Sequence, residues 1–323
     1  MIFFIHKEHQ AFTHKALLRP SGADDFSIIS YNRLLGKISI PRGTYVFMDR
    51  ERMDQWELRI FGQLYNHLKN AGPGYRVVNN PARMMNRLEL LRMLYREGIN
   101  KFNVYPVSEC QKPVQYPVFI RRIYDHKTPV TGLLHNEQEL GQALAELRAK
   151  NEPDEGLIIV EFCAQPVKDT LFRKLSAFRV GDKVFFYQTV HQHDWLIKFG
   201  TKNSATPELY LEEHDMIKTN AFGDELRHVF ELANIEYGRA DFGLVNGKVQ
   251  IYEINTNPHI IPPFDHPDPV RVKSMQLGWD KYMQAINDLD TTEKSAPKAR
   301  LFHHPDVNNI LMRFCSASYI RRR

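Results

Sequence analysis

The hydrophobic positions of the chain follow two spacings, one typical of helices and one typical of strands. Between residues 56 and 69, four apolar residues recur at every fourth position, as the buried face of a helix requires: Trp56, Ile60, Leu64 and Leu68. The same kind of pattern predicts further helices at residues 81–96, 137–150, 222–234 and 267–290. Gly98 follows the second of these helices and suits the left-handed position just beyond a helix end.

Short apolar runs between turn residues predict strands at residues 26–31, 44–48, 75–78, 117–121, 157–162, 175–180, 184–190, 240–245 and 248–254. The run at 157–162 is almost wholly apolar, which is typical of a central strand. The turn pairs Gly181-Asp182 and Asn246-Gly247 predict two hairpins. Because α/β segments come first and hairpins flanked by helices follow, we expect an α+β fold with a small α/β domain ending near residue 80.

The composition is that of a globular protein with an ordinary core. The chain has 323 residues, of which 43% are apolar and 25% are charged, so a disordered or fibrous protein is excluded. Its three cysteines, Cys110, Cys163 and Cys315, form no CxxC pair, which argues against a cysteine zinc site and a disulfide scaffold. The first apolar run ends at His6, too soon for a signal peptide, and no stretch has the length of a membrane span. We therefore expect a cytoplasmic protein with no membrane partner.

The net charge of +5, from 43 basic and 38 acidic residues, is a small excess for this length. Such an excess is compatible with nucleic acid, with a small anion or with solubility alone. The dense basic run at residues 321–323 is expected to be a solvated tail. We therefore predict no nucleic-acid partner.

The most informative segment is the predicted hairpin at residues 239–255. Arg239 and Asp241 lie two residues apart and so share one face of their strand, as do Glu253 and Asn255 on the partner strand. A two-residue loop at Asn246-Gly247 would direct Asp241 and Glu253 to opposite faces. A three-residue loop, with a bulge at the glycine, would bring all four polar groups to one face. The spacing leaves both registers open.

On a shared face, the hairpin would offer hard oxygen ligands. The carboxylates of Asp241 and Glu253 and the amide oxygen of Asn255 suit Mg²⁺, which keeps its other positions for water and phosphate oxygens. Arg239 would add a fixed cation for an anion held by that metal. From the spacing alone, a hairpin with one polar, solvated face remains equally open.

Two stretches of this hairpin resemble a known family. Gly-Arg-Ala-Asp at residues 238–241 and Tyr-Glu-Ile-Asn-Thr-Asn-Pro at residues 252–258 are similar to the metal-binding signature of the ATP-grasp superfamily. The likeness is greatest to its carboxylate–amine ligases, which include D-alanine–D-alanine ligases, glutathione synthetases and ribosomal-protein-modification ligases, and it extends over residues 79–262. It implies an α+β ATP-grasp fold, in which two lobes clamp ATP after a small α/β domain. The corresponding division is 1–80, 81–160, 161–290 with the metal site, and a C-terminal tail at 291–323.

The resemblance also implies roles for the nucleotide-binding residues. Arg87 and Arg121 stand where lysines that contact the nucleotide and its phosphates are usual. Glu161, Phe162 and Cys163 resemble the hinge that binds adenine, with the glutamate accepting from the amino group. A further acidic residue, placed to meet the ribose hydroxyls, is Asp169.

The remaining implied roles concern the reacting end of the nucleotide. Lys198 resembles a basic residue near the triphosphate, and Arg239 the group that stabilises charge at the acyl centre. Asp241, Glu253 and Asn255 carry over as Mg²⁺ ligands. The chain departs from the family pattern in three ways: both usual lysines are arginines, the loop after Arg121 lacks the usual glycines, and His259 replaces a frequent glycine.

The activity implied by the resemblance is an ATP- and Mg²⁺-dependent ligase that joins a carboxylate to an amine through an acyl phosphate. Mn²⁺ is an alternative metal, and the substrates would be small molecules such as amino acids or a short peptide. A homodimer is compatible with this activity. Two other functions stay open, a kinase of the same fold that phosphorylates a hydroxyl and a non-catalytic ATP-binding module.

Overall fold

The structure is a computed structural model and describes residues 1–18, 26–37, 39–109, 112–124, 128–198, 200–201, 204–300 and 302. Cys110, Cys315, the loop residues 125–127 and the basic run at 321–323 lie outside the described residues. The described strands are β1 (Ile2–His6), β2 (Phe26–Ser30), β3 (Ser39–Ile40), β4 (Gly43–Phe47), β5 (Tyr75–Val78), β6 (Val104–Pro106), β7 (Val118–Arg122), β8 (Leu157–Glu161), β9 (Pro166–Lys168), β10 (Leu171–Val180), β11 (Lys183–Gln192), β12 (Tyr237–Val245), β13 (Lys248–Asn255) and β14 (Ala299–Arg300). The described α-helices are α1 (Tyr31–Leu35), α2 (Gln55–Lys69), α3 (Arg87–Arg96), α4 (Glu137–Ala149), α5 (Pro207–Thr219), α6 (Gly223–Leu232) and α7 (Pro269–Asn287).

The N-terminal part is a parallel sheet in the order β2-β1-β4-β5. Strand β1 is buried along its whole length, and the apolar face of α2 covers the sheet through Ile60, Leu64 and Leu68. The predicted helix is confirmed, but Trp56 is 38% exposed and does not belong to that face. Helix α2 begins at a capping box, in which Asp54 and Glu57 each accept from the other's backbone N–H.

The central part is a three-stranded antiparallel sheet in the order β6-β8-β7, covered by α4. Strand β8 is the central strand, as the apolar run predicted. Helix α3 contacts both β6 of this sheet and β13 of the sheet described below. It begins at Arg87 rather than at the predicted residue 81, because Asn86 caps it. Asn86 and Glu89 form a capping box, and residues 81–84 form a turn before it.

The third part is an antiparallel sheet in the order β11-β10-β12-β13, with β9 paired to β10. Helices α5 and α7 cover the outer edge of β11, and α5 was missing from the predicted elements. Glu213 of α5 accepts from the backbone N–H of Thr189 at 2.6 Å, and Arg271 of α7 donates to the Thr189 carbonyl oxygen at 3.3 Å. An exposed strand edge is thereby closed by two charged side chains that also form an ion pair.

The hairpin of β12 and β13 has a register that neither predicted loop gives. Val245 pairs with Lys248, so of the two loops that the spacing left open the chain forms the two-residue Asn-Gly turn. A bulge at Tyr252 then shifts the pairing by one residue, because Phe242 pairs with Ile251 while Asp241 pairs with Glu253. Directly paired residues share a face. The bulge therefore brings the polar groups together where a regular ladder would separate them.

The chain after α7 returns to the N-terminal part. Strand β14, within the predicted tail, pairs with β3, and Phe302 is buried in the same core as α2. In the part of the chain that the structure describes, none of the helices combines the length and the apolar character needed to cross a lipid bilayer.

Candidate active site

Two carboxylates, one guanidinium and one amide meet on one face of the hairpin sheet. Asp241 is paired with Glu253 across the strands, and Arg239 is paired with Asn255. On the neighbouring strand β10, Ser176 is paired with Asp241 and donates a hydrogen bond to its Oδ1 at 3.0 Å. Three adjacent strands thus contribute to one polar surface.

Asp241 is the most enclosed member of this surface, with 2% of its area exposed. Arg239 binds it with two hydrogen bonds, from Nε to Oδ1 at 2.8 Å and from Nη2 to Oδ2 at 3.2 Å. Lys174 of β10 lies 3.2 Å from Oδ2 through its Nζ. Burial alone would raise the pKa of the Asp241 carboxyl, but Arg239 and Lys174 outweigh it and the pKa is lowered. Asp241 is therefore an anion at neutral pH.

The cations that pair with Glu253 lie on helix α3 and strand β7. Nη2 of Arg87, at the start of α3, pairs with Glu253 Oε2, and Nη2 of Arg121 on β7 lies 3.9 Å from the same oxygen. Arg87 also donates to the carbonyl oxygens of Arg122 and Ile123, both at 3.4 Å. One guanidinium therefore links α3, the end of β7 and the hairpin.

The oxygen donors fit a hard divalent cation by their chemistry. Two carboxylates and an amide oxygen from adjacent strands are the partial ligand set that Mg²⁺ accepts when water and phosphate complete its sphere. Among the described residues, no group of three or more His, Cys, Asp or Glu side chains gathers as a metal cluster. The chemical fit therefore rests on the two carboxylates together with the Asn255 amide oxygen.

Among the residues that the structure describes, cations outnumber anions at this face. Four cations surround the carboxylates of Asp241 and Glu253, and they are Arg87, Arg121, Lys174 and Arg239. A divalent cation alone would add to this excess, whereas a polyphosphate would balance it. The electrostatics therefore favour an anionic ligand.

A cavity of about 180 Å³ opens beside these charges. Its charged wall contains Arg121, Arg173, Lys174, Lys198, Asp241 and Glu253. Its apolar wall contains Leu91, Phe102, Phe119, Phe162, Phe172 and Trp195. Phe162 meets Trp195 edge to face with ring centroids 5.8 Å apart, and Phe119 lies 5.1 Å from the same indole. A flat ring with a charged chain attached would match both walls.

Glu161 lies at the end of β8, where the sequence resemblance implied a hinge. It is 2% exposed. Its carboxylate accepts four hydrogen bonds at 2.8–3.0 Å, from Asn103 N, Tyr105 Oη, Val114 N and Gln115 N. These donors occupy the carboxylate and tie β6 and the segment before β7 to β8. The backbone that follows, at Phe162 and Cys163, runs along the cavity wall.

The other predicted residues lie at different distances from the cavity. Cys163 lines it, accepts from Tyr252 Oη at 3.2 Å through its carbonyl oxygen, and has a thiol pKa raised by burial and by Glu161. Lys198, on the segment after β11, also lines it. Asp169 is exposed in the turn between β9 and β10, with a φ of 47°, and does not line the cavity.

Sequence reasoning missed Lys174, Ser176 and Trp195. The first two lie on β10, which was predicted only from residue 175. Their signal was the short alternation of polar and apolar residues from 174 to 177, the same spacing of two that identified Arg239 and Asp241. Trp195 had no signal in the sequence, because its place against Phe162 depends on the packing of two separate parts of the chain.

No family model and no curated protein sequence matches the chain. Among solved structures, it is similar to the D-alanine–D-alanine ligase from Bacillus anthracis complexed with ATP, with a TM-score of 0.51 and 13% identity over 89% of this chain and 96% of that chain. It is also similar to the VanG D-Ala:D-Ser ligase from Enterococcus faecalis, with a TM-score of 0.49 and 14% identity over 88% of this chain and 98% of that chain. On the first of these similarities and the sheets described above, the chain has an α+β ATP-grasp fold.

Proposed function

We propose that the protein is an ATP-dependent ligase that joins a carboxylate to an amine and releases ADP and phosphate. The observation that carries the proposal is that four cations pair with Asp241 and Glu253 among the described residues, next to a cavity lined in part by aromatic rings. The fold shared with an ATP-bound D-alanine–D-alanine ligase supports it. Amino acids are the substrates to be tested first.

In this proposal the nucleotide lies across both walls of the cavity. The adenine ring would lie against Phe162 and Trp195 and bind the backbone of residues 161–163, since the Glu161 carboxylate already has four donors. A cavity of about 180 Å³ is smaller than a typical nucleotide pocket, so part of the nucleotide would extend outside it. Arg87, Arg121, Lys174 and Lys198 would bind them, and Asp169 would need to approach to reach the ribose.

The metal site would be formed by Asp241, Glu253 and Asn255, with Mg²⁺ as the first candidate and Mn²⁺ as the second. When bound, the ion would neutralise charge on the phosphates. Arg239 is oriented by its two hydrogen bonds to Asp241, and its pKa is raised by that carboxylate despite burial. It would thus keep its charge throughout and stabilise the oxyanion at the acyl carbon.

The reaction has two steps. A carboxylate oxygen attacks the γ-phosphorus, the bond from that phosphorus to the bridging oxygen breaks, and ADP leaves with the electron pair. The amine then attacks the acyl carbon, a proton passes from the nitrogen to water, and phosphate leaves. The chain contributes placement of the reactants and charge stabilisation rather than a covalent group.

The test is an ADP-release assay with pools of amino acids and other carboxylates, in the presence of hydroxylamine as a nucleophilic trap. The proposal predicts metal-dependent ADP release together with a hydroxamate of the substrate carboxylate. ADP release with a stable phosphorylated alcohol and no hydroxamate would instead identify a kinase. Nucleotide binding without turnover in any pool would identify a binding module.

A further inference from the structure

Asn257 joins the end of the hairpin to the N-terminal sheet. Its side chain is buried, with 3% of its area exposed, and it lies two residues after Asn255. Its Nδ2 donates to Asp49 Oδ1 at 2.9 Å, and its Oδ1 accepts from Thr13 Oγ1 at 2.5 Å. Its backbone N–H donates to Asn255 Oδ1 at 2.9 Å. One residue therefore holds the predicted metal-ligand amide with its backbone and the N-terminal part with its side chain.

Neighbouring residues strengthen the same junction through hydrogen bonds to other residues than Asn255. Thr256 is 1% exposed; its Oγ1 donates to Glu51 Oε2 at 2.9 Å and accepts from Arg50 N at 3.2 Å. Ile260 N donates to the Thr13 carbonyl oxygen at 2.8 Å. The chain leaving β13 is thus fixed to the loop after β4 and to the 3₁₀ helix Ala11–Leu17.

The carboxylate of Asp49, which accepts from Asn257, is held by several other donors. It is fully buried, has a left-handed φ of 61°, and also accepts from Lys7 N at 2.8 Å and Arg52 Nη1 at 2.5 Å. A buried carboxylate needs such donors, and the loss of one leaves part of its desolvation uncompensated. The N-terminal part therefore resists movement of the Asn257 side chain.

We propose that Asn257 is a positioning residue, which fixes the orientation of the Asn255 amide group and so lets the N-terminal part set metal affinity. The inference rests on the proposed function, because it takes Asn255 as a metal ligand. The amide group of Asn255 can rotate by 180° and would then present its NH₂ donor in place of the oxygen. The hydrogen bond from the Asn257 backbone opposes that rotation only while the Asn257 side chain holds this backbone in place.

The experiment measures Mn²⁺ binding by electron paramagnetic resonance, with protein in excess over a non-hydrolysable ATP analogue. Asn257→Ala and Thr13→Val break the junction from opposite sides. We expect each to weaken Mn²⁺ binding about 10-fold, as loss of an outer partner of a metal ligand typically does. In steady state, the metal concentration for half-maximal ADP release should rise by a similar factor, with a smaller change in kcat.

Thr256→Val is the matched control, because the Thr256 side chain is similarly buried and binds the same loop, whereas the donor to Asn255 Oδ1 is Asn257. It should lower the melting temperature by a similar amount and leave Mn²⁺ affinity within about twofold. Equal Mn²⁺ affinities for wild type, Asn257→Ala and Thr13→Val would overturn the role of Asn257. An equal loss of Mn²⁺ affinity in Asn257→Ala, Thr13→Val and Thr256→Val would also overturn it, because that is the result expected of a purely structural junction.

Failure of the proposed function has a different signature. A wild-type protein that binds Mn²⁺ with the nucleotide but gives no hydroxamate is not a ligase, and the ordering of the three variants still decides the role of Asn257. If Asn257→Ala does not fold, Thr13→Val carries the same comparison, since it removes one hydroxyl and retains the shape of the side chain. A wild-type complex that binds no Mn²⁺ overturns the inference.

Discussion

Glu253 is the side chain at which three elements of the fold, α3, β7 and β13, meet. It lies on β13, its Oε2 pairs with Arg87 of α3, and Arg121 of β7 approaches the same oxygen. Its side chain is 22% exposed, so the ion pairs are only partly screened by water. Its charge therefore has two roles, as a candidate metal ligand and as the partner of the two arginines that we propose bind phosphate.

Glu253→Gln retains the size of the side chain and removes its charge. We expect metal-dependent ADP release to fall by at least about 100-fold, the scale on which single electrostatic groups act in active sites. The protein should remain folded, which circular dichroism and thermal unfolding will check. Glu109→Gln is the control, because it neutralises a carboxylate paired with Arg92 outside the cavity. Full activity of Glu253→Gln would reject the metal assignment.

Lys174 gives a second prediction at the level of single residues. Its Nζ pairs with Asp241 and lines the cavity, so Lys174→Met should weaken nucleotide binding by about 10-fold, the loss of roughly 1.4 kcal/mol of charge interaction. Titration with a fluorescent ATP analogue measures the affinity directly. Lys183→Met is the control, since Lys183 pairs with Asp288 on the same sheet but does not line the cavity. Equal affinities of the two variants would remove Lys174 from the nucleotide site.

The helices show which elements a sequence can predict. Helices α2 and α4 have clear end signals, since Asp54 and Asn136 cap their first turns, and both were predicted within one residue. Helix α5 was not predicted, because its buried side includes Glu213, which closes the edge of β11. A charged residue on the buried side breaks the apolar period on which helix prediction depends.

The hairpin shows where local reasoning ends. The residue pair Asn246-Gly247 predicts a turn, and both residues have the positive φ that a two-residue hairpin loop requires. The bulge at Tyr252 cannot be predicted from the sequence, because it depends on contacts with other strands. The Tyr252 ring covers Gly243, and its hydroxyl reaches the carbonyl oxygen of Cys163. The polar groups of the candidate site could be identified from sequence, but their convergence required this tertiary contact.

Gly243→Ala tests the contact that accompanies the bulge. A Cβ at this position would lie 2.2 Å from Tyr252 Oη, so the ring must move and its hydrogen bond to Cys163 must break. We expect a loss of about 1–3 kcal/mol in the free energy of unfolding, the usual cost of overpacking. The double variant Gly243→Ala/Tyr252→Ala should be more stable than the sum of the single effects. Strict additivity in urea unfolding would show that the two residues do not interact.

At the scale of the whole molecule, a buried polar chain crosses from the N-terminal part to the hairpin sheet. His14 is fully buried, and its Nε2 lies 2.6 Å from Tyr237 Oη, which in turn lies 2.9 Å from Tyr282 Oη on α7. Its Nδ1 lies 2.9 Å from Thr13 Oγ1. Burial, with smaller contributions from His6 and His259, lowers the pKa of His14 from 6.5 to about 3. The junction thus holds a neutral imidazole.

That imidazole predicts how stability depends on pH. In the unfolded chain His14 takes up a proton as the pH falls below 6.5, whereas in the folded protein it stays neutral until about pH 3. The unfolded state therefore binds more protons over this interval, and the contribution of His14 to stability, complete above pH 6.5, declines by about 1.4 kcal/mol per pH unit on acidification. His14→Gln should be less stable at neutral pH but should lack this part of the slope. Urea unfolding at a series of pH values measures it.

His191 supplies the matched comparison, because burial and the nearby Arg173 and Arg271 lower its pKa to about 4. His191→Gln should flatten the stability profile from pH 6.5 to about 4, and His14→Gln should flatten it further, to about 3.

Profiles of wild type and His14→Gln that run parallel across the interval would mean that His14 is protonated in the folded protein. In that case the junction between the N-terminal part and the hairpin sheet would have to open to water, and the positioning role of Asn257, which shares Thr13 with His14, would lose its rigid support.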